Sequence, residues 1–205
     1  SENPRSISDI NSSIENPLGF IIEYVFFKTS STDLSIEKSD NVLLMGHSFS
    51  DFDAIGSCIG LSALCASVGI RANVVVNPET TLAQPLIDIC KQDGMEGLFI
   101  DEEAALSLVT DNTLLIIVDI LRPNNVESRA LLDCIKNVAI VDHHRMAVDK
   151  IQSPQLLFHD PYASSAAEMV TELIQYSPSK PKLTPVQAEA LMAGIILDTK
   201  NFTFR

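Results

Sequence analysis

The chain has 205 residues, of which 46% are hydrophobic, and it carries a formal net charge of −13. This length and apolar content suffice for one large domain with a buried core. The acidic charge argues against a nucleic-acid binder with a basic surface, because phosphate backbones are held mainly by Lys and Arg. Cys58, Cys65, Cys90 and Cys134 form no Cys-x-x-Cys pair. Buried thiols in a reducing compartment are therefore favoured over a disulfide framework or a zinc knuckle.

The first 40 residues differ in composition from the rest of the chain. Ser, Asn, Asp and Glu dominate 1–16 and 28–40, so we predict a linker or N-terminal arm over 1–40. The apolar patch at 20–27 is interpreted as a short helix or edge strand, or as a contact to a missing neighbour. No apolar run reaches the roughly 18 residues that span a bilayer, so the chain itself is expected to be soluble and cytoplasmic.

Five short segments rich in Val, Ile and Leu are apolar on both faces, which is typical of parallel strands covered by helices. These predicted strands are 42–46, 72–76, 98–100, 113–119 and 138–142. Apolar spacing of three and four residues predicts helices at 54–68, 82–91, 102–108, 126–135, 164–176 and 184–197. Strands and helices alternate, which predicts an α/β domain over 41–205 with a doubly wound, mostly parallel sheet and additional C-terminal helices.

Acidic and histidine side chains follow several of these apolar segments at the point where each segment ends. Ligands of open α/β sheets bind at the carboxyl ends of strands, and imidazoles with carboxylates are ligands that divalent transition metals prefer. The pattern therefore predicts a metal site. Its members are His47, Asp51 and Asp53 after the first strand, Asp119, then Asp142, His143 and His144, and finally Asp198.

Several of these residues also have an ordinary structural explanation when taken singly. Asp51 and Asp53 are suited to capping the helix that follows them. Asp119 is compatible with a turn and Asp198 with a helix end, and His159 is interpreted as a turn histidine with no role. The coincidence of four such groups at segment ends favours a shared site.

The motifs together resemble those of the DHH phosphoesterase superfamily, which has a RecJ-like fold. They are H-x-x-x-D-x-D at 47–53, V-D at 118–119, D-H-H at 142–144 and D-T at 198–199. The stretches that most resemble bacterial cyclic-di-AMP phosphodiesterases are 45–47, 51–56, 141–145, 161–165, 168–173 and 193–205. The resemblance implies a membrane-anchored second-messenger enzyme that hydrolyses cyclic di-AMP to linear pApA through a water activated by two metals.

The resemblance also implies a role for each matching residue. Asp119 would bridge two divalent ions, expected to be Mn²⁺. His47 and Asp51 would complete one ion, whereas the other would be completed by Asp53, His143 and Asp198. Asp142, His144 and Arg145 are the implied catalytic residues, which orient the substrate or contact its phosphates. Arg122 is either another phosphate partner or part of a structural ion pair.

Two features depart from the family pattern. Leu121 stands where the family usually carries a His two residues after the second-motif Asp. The chain also stops at Arg205, before the C-terminal DHH-associated domain that would follow. We therefore expect an excised catalytic domain that is weak or inactive without that domain in cis.

The partners implied by the resemblance are a cyclic dinucleotide or a short linear dinucleotide, and a homodimer is compatible with it. Duplex nucleic acid is not expected, and the parent protein is expected at the cytoplasmic face of the cell membrane. Two alternatives stay open: an oligoribonuclease or pApA phosphatase of the same superfamily, and a non-catalytic metal-binding interaction module.

Overall fold

A six-stranded parallel sheet lies at the centre of residues 36–203, which are the residues described by this computed structural model. The strands are β1 (Val42–Met45), β2 (Ala72–Val75), β3 (Phe99–Ile100), β4 (Leu114–Val118), β5 (Asn137–Asp142) and β6 (Leu156–His159). The helices are α1 (Phe52–Ser67), α2 (Gln84–Cys90), α3 (Glu102–Ser107), α4 (Arg129–Cys134), α5 (Ala166–Tyr176) and α6 (Pro185–Asp198). Short helical turns at Ile36–Lys38, Lys91–Met95 and Glu96–Leu98 complete the described elements.

The strand order is β3-β2-β1-β4-β5-β6, and every neighbouring pair is parallel. The chain runs outward from β1 to β3 and then returns to place β4 beside β1. The β1–β4 pair is therefore the topological switch point of the sheet, where ligands of open α/β proteins bind. The predicted doubly wound α/β fold is confirmed.

Side chains of the strands alternate between two buried apolar clusters, one on each face of the sheet. Val42 and Leu44 of β1 belong to the cluster that also contains residues of α1, α5 and α6. Leu43 and Met45 belong to the cluster that contains residues of α3 and α4. Burial on both faces explains why the strand sequences are continuously apolar.

Strand β6 was not predicted from the sequence. Its four residues pair in parallel with β5 at the edge of the sheet, and only Phe158 among them is buried. A segment this short and this exposed carries little periodic signal. His159 ends this strand, so its interpretation as a turn residue is wrong.

Two other expectations from the sequence concern the burial of the cysteines and the N-terminal arm. Cys58, Cys65 and Cys90 are buried, but Cys134 is exposed, so the expectation of buried thiols is wrong for that residue. The apolar patch at 20–27 and the arm up to residue 35 lie outside the described residues. Among residues 36–203, no helix is long and apolar enough to cross a membrane.

Helices α1 and α6 approach each other closely through glycines. A Cβ on Gly56 of α1 would overlap the carbonyl oxygen of Ala190, and one on Gly194 of α6 would lie 3.0 Å from the Cα of Asp53. Thr184 caps α6 and forms a capping box with Gln187. This close packing brings the carboxyl end of α6 to the amino end of α1.

We expect Gly56→Ala to lower the free energy of unfolding by about 1–3 kcal/mol, because the new methyl group displaces α6 in a tightly packed interface. Urea unfolding measures this change. Gly97→Ala is the matched control: a Cβ there would meet nothing within 4 Å, so its effect should stay within about 0.5 kcal/mol. Equal stability of the two variants would contradict the proposed packing constraint.

Candidate metal centre

Asp51 lies in the loop between β1 and α1 and caps α1. Its Oδ1 accepts hydrogen bonds from the backbone N–H groups of Asp53, at 2.9 Å, and Ala54, at 3.1 Å. The same oxygen lies 3.7 Å from Nε2 of His47. The capping explanation therefore holds for Asp51, and it does not exclude a second role beside His47.

Asp53 is not a cap but a buried carboxylate in the first turn of α1. Its two oxygens accept hydrogen bonds from the backbone N–H groups of Ala166, at 2.7 Å, and Ala167, at 2.8 Å. Burial and the charge of Asp119 raise the pKa of Asp53 to about 7, against the opposing effect of these amides. The amino terminus of α5 thus holds Asp53 in one orientation.

Asp119 follows β4 directly and is only 3% exposed. Its φ of 60° lies in the left-handed region, which is uncommon for a residue other than glycine. Its Oδ2 lies 3.6 Å from Nε2 of His47, and its Oδ1 lies 3.3 Å from Nε2 of His143. Oδ1 also lies 3.4 Å from Nδ1 of His144. The carboxylate therefore directs one oxygen to His47 and the other to His143 and His144, an arrangement that would allow it to contact two cations.

His143 has its ring orientation set by the backbone. Nδ1 lies 3.3 Å from the carbonyl oxygen of Ala163, to which it can donate, so the lone pair of the neutral ring is on Nε2. That atom lies 3.8 Å from Oδ2 of Asp53 and 3.4 Å from Oδ2 of Asp198. Nε2 of His143 and Oδ1 of Asp119 are both buried and have no hydrogen-bond partner among the described residues. A cation between them would satisfy both atoms.

All six residues predicted as metal ligands lie in one cluster. Within each of two groups, the ligand atoms lie within 4.8 Å of one another: His47 with Asp51 and Asp119, and Asp53 with His143 and Asp198. A third group adds His144 to Asp119 and His143. The donor set of imidazoles and carboxylates fits divalent transition metals, and the charge of four carboxylates matches that of two such ions.

Asp142 orients His144. The Asp142 side chain is fully buried, with Oδ1 3.0 Å from Nδ1 of His144 and Oδ2 accepting a hydrogen bond of 3.0 Å from the His144 backbone N–H. The imidazole of His144 is half exposed, and Arg145 beside it is exposed. Arg122 forms an ion pair at the surface with Asp149, at 3.6 Å, which agrees with the structural ion pair among its two predicted roles.

Leu121 contributes no polar side-chain atom to the cluster. It is 3% exposed and packs in the apolar cluster beneath β4 and β5. Its carbonyl oxygen accepts a hydrogen bond of 2.8 Å from the N–H of Ile151. The departure from the family pattern at this position is therefore accommodated by hydrophobic packing.

Two side chains near the cluster were missed by the sequence reasoning. Nε2 of His159 lies 2.6 Å from the carbonyl oxygen of His144, and donation to it ties β6 to the D-H-H segment. Recognition of β6 beside β5 would have revealed this contact. The carboxylate of Glu127 contacts the hydroxyl group of Ser50 in the loop that carries His47, and no sequence signal distinguishes Glu127 from other glutamates.

The fold and the cluster together define a class of protein: a parallel α/β domain with a candidate centre for two divalent cations at the switch point of its sheet. Residues 41–195 match the family model for the DHH family, N-terminal domain. The chain belongs to this family.

The chain is also similar to individual curated proteins. It is 39% identical over 173 residues to the cyclic-di-AMP phosphodiesterase GdpP of Bacillus subtilis (strain 168), covering 83% of this chain and 26% of that protein. It is 42% identical over 173 residues to GdpP of Geobacillus thermodenitrificans (strain NG80-2), with the same coverage of 83% and 26%. The chain thus spans about a quarter of the length of the curated relatives it matches.

Among solved structures, the fold is similar to that of an exopolyphosphatase-related protein from Bacteroides fragilis. The TM-score is 0.68 at 22% identity, over 82% of this chain and 49% of that chain. At this identity, the likeness bears on the fold alone.

We expect Mn²⁺ to stabilise the protein, because an ion that binds only the folded state raises the free energy of unfolding by about 2.7 kcal/mol at about 100 times its Kd. Thermal unfolding with and without Mn²⁺ measures this. Asp119→Asn should lose most of the stabilisation. Asp111→Asn, an exposed aspartate before the amino end of the same strand, should keep it. Equal stabilisation of both variants would contradict a centre at Asp119.

Cation binding should release at least about two protons near pH 7, because the imidazoles of His47 and His143 and part of the Asp53 carboxyl groups are protonated there. Burial lowers the pKa of both imidazoles, but Asp119 outweighs it, helped by Asp51 at His47 and by Asp53 and Asp198 at His143, so that the pKa values rise to about 10 and about 9. Both rings then carry a proton that a cation must displace, so affinity should increase as the pH rises toward these values. Calorimetry in buffers of different ionisation enthalpy measures the release; an enthalpy independent of buffer would contradict it.

Proposed function

We propose that this chain is the catalytic domain of a metal-dependent phosphodiesterase that hydrolyses cyclic di-AMP to linear pApA. The observation that carries the proposal is the carboxylate of Asp119, whose two oxygens face His47 and His143 in separate ligand groups. The relatives named as cyclic-di-AMP phosphodiesterases support the choice of substrate, because their similarity extends over 83% of this chain.

The residues of the cluster suit a two-cation centre, for which we propose manganese. His47, Asp51 and Asp119 would hold one ion. Asp53, His143 and Asp198 would hold the other, with Asp119 shared. Two divalent ions would supply Lewis acidity that lowers the pKa of a nucleophilic water to about 7 and offsets the charge of a phosphate.

The neighbouring residues contribute orientation and charge. The buried carboxylate of Asp142 holds Nδ1 of His144, which leaves Nε2 of that half-exposed ring for a phosphate oxygen. Arg145 is exposed next to it, and its guanidinium is suited to the second phosphate of a cyclic dinucleotide. These local groups and the cations would bind an anionic substrate despite the acidic charge of the chain.

The assay that tests this proposal is product analysis with Mn²⁺ present, on cyclic di-AMP, pApA and short RNA in parallel. Both the 205-residue chain and the full-length gene product are tested, since the chain spans about a quarter of its relatives. We expect pApA from cyclic di-AMP. Asp119→Asn should lower the rate of pApA formation by more than about a hundredfold, since loss of even an outer partner of a metal ligand lowers metal affinity or activity by about 10–100-fold.

Asp111→Asn is the control for this assay and should retain turnover. Cleavage of pApA or RNA without cleavage of cyclic di-AMP would replace the proposed substrate with a linear one. Turnover retained by Asp119→Asn would contradict the bridging role. Metal binding without turnover of any of these substrates would favour a non-catalytic metal-binding interaction module over an enzyme.

A further inference from the structure

The segment 125–127, which follows β4, lies along the loop that carries His47. The N–H of Ser48 donates to the carbonyl oxygen of Asn125 at 2.8 Å, and the N–H of Glu127 donates to that of Gly46 at 2.9 Å. His47 and Val126 form an antiparallel bridge between these hydrogen bonds. The backbone of His47 is therefore held from both sides by a segment distant in sequence.

The side chain of Glu127 adds a second set of contacts to the same loop. Its Oε1 accepts a hydrogen bond of 3.1 Å from the N–H of Asn77, and its Oε2 lies 3.3 Å from Oγ of Ser50. Oγ of the fully buried Ser50 lies 2.6 Å from the carbonyl oxygen of His47. Glu127 thus links three loops at the carboxyl edge of the sheet and reaches His47 through one hydroxyl group.

We propose that Glu127 is a positioning residue for His47, which it holds in place through Ser50. The inference rests on the proposed two-cation centre and extends it to a side chain that belongs to none of the candidate ligand groups among residues 36–203. Ser50 has one hydroxyl proton, which it donates to the carbonyl oxygen of His47 at 2.6 Å and, as the longer branch of a three-centre hydrogen bond, to the carboxylate of Glu127 at 3.3 Å. The two acceptors together fix the rotamer of Ser50. The imidazole is then presented to Asp51 and Asp119 at a constant position.

The candidate ligands of the second group, by comparison, are oriented by contacts to their side chains. Asp53 is held by two amides at the start of α5, and His143 is held by the carbonyl oxygen of Ala163. His47 lies in a loop, and the described residues support it through its backbone. Outer contacts that orient a metal ligand typically contribute 10–100-fold to metal affinity.

The experiment is calorimetric titration of the chain with Mn²⁺, using Glu127→Ala and Glu127→Gln. We expect Glu127→Ala to weaken one of two binding events by about 10–100-fold and to leave the other unchanged. Glu127→Gln should retain most of the affinity, because an amide can still accept from Asn77 and contact Ser50. Glu102→Ala, which removes an exposed carboxylate that lines a surface cavity together with Glu127, should bind like the native chain.

The His47→Ala background tests whether Glu127 acts through His47. There, Glu127→Ala should cause no further loss, because residues that act as one unit are not additive. A further loss of Mn²⁺ affinity in that background would overturn the inference. A Glu127→Gln variant that binds Mn²⁺ as weakly as Glu127→Ala would also overturn it, because the effect would then come from charge alone. If Glu127→Ala does not fold, Ser50→Ala takes its place and should show the same selective loss; unaltered binding by Ser50→Ala would overturn the inference.

The native chain separates this inference from the proposed centre. If the native chain binds no Mn²⁺, the two-cation centre itself fails. If it binds two ions and Glu127→Ala binds them equally well, only the positioning role fails.

Discussion

The parallel pairing of β1 with β4 is the constraint on which the candidate centre depends. Met45 pairs with Ile117, so the two strands end nearly level at the middle of the sheet. The residues that follow them, His47 and Asp119, are separated by more than seventy positions in sequence but lie with side-chain atoms 3.6 Å apart. The parallel β4–β5 pair adds His143 at the same edge. A slip of one residue in either pairing would turn the strand side chains to the opposite face and separate these groups.

Burial of acidic groups is the energetic feature that the centre has to balance. Asp53 and Asp119 are almost fully buried, and the desolvation of a carboxylate is costly unless donors or a positive charge compensate it. Each has a different compensation: two backbone amides for Asp53, and the imidazoles of His47, His143 and His144 for Asp119. The pKa values move apart accordingly: burial raises both, but the neighbouring His143 and His47 turn the net shift of Asp119 downward, whereas that of Asp53 stays raised. Among the described residues, Oδ1 of Asp119 and Nε2 of His143 are buried without a hydrogen-bond partner, and a divalent cation there would satisfy both atoms.

The helical layer of α1, α5 and α6 is as much a part of the site as the sheet. Glycines let α6 approach α1 until Gly194 meets the backbone of Asp53, and Asp198 lies one turn further along α6. The start of α5 supplies the amides that hold Asp53. Stability and the geometry of the candidate centre are therefore coupled here, because a side chain that separates these helices also moves Asp53 and Asp198. The same principle applies to the loop of His47, whose backbone is held by the segment that contains Glu127.

The sequence by itself determined the α/β class, five of the six strands, and the set of acidic and histidine residues that the structure brings into one cluster, because buried parallel strands and polar residues at their ends leave a local pattern. The resemblance of its motifs implied which acidic residues share a ligand group, whereas only the tertiary structure decided that Asp51 is a cap while Asp53 is not, and that Leu121 packs in the core. The tertiary structure also revealed β6, His159 and the contact from Glu127 through Ser50 to His47. These features depend on contacts between segments far apart in the chain, and such contacts leave no periodicity in one sequence.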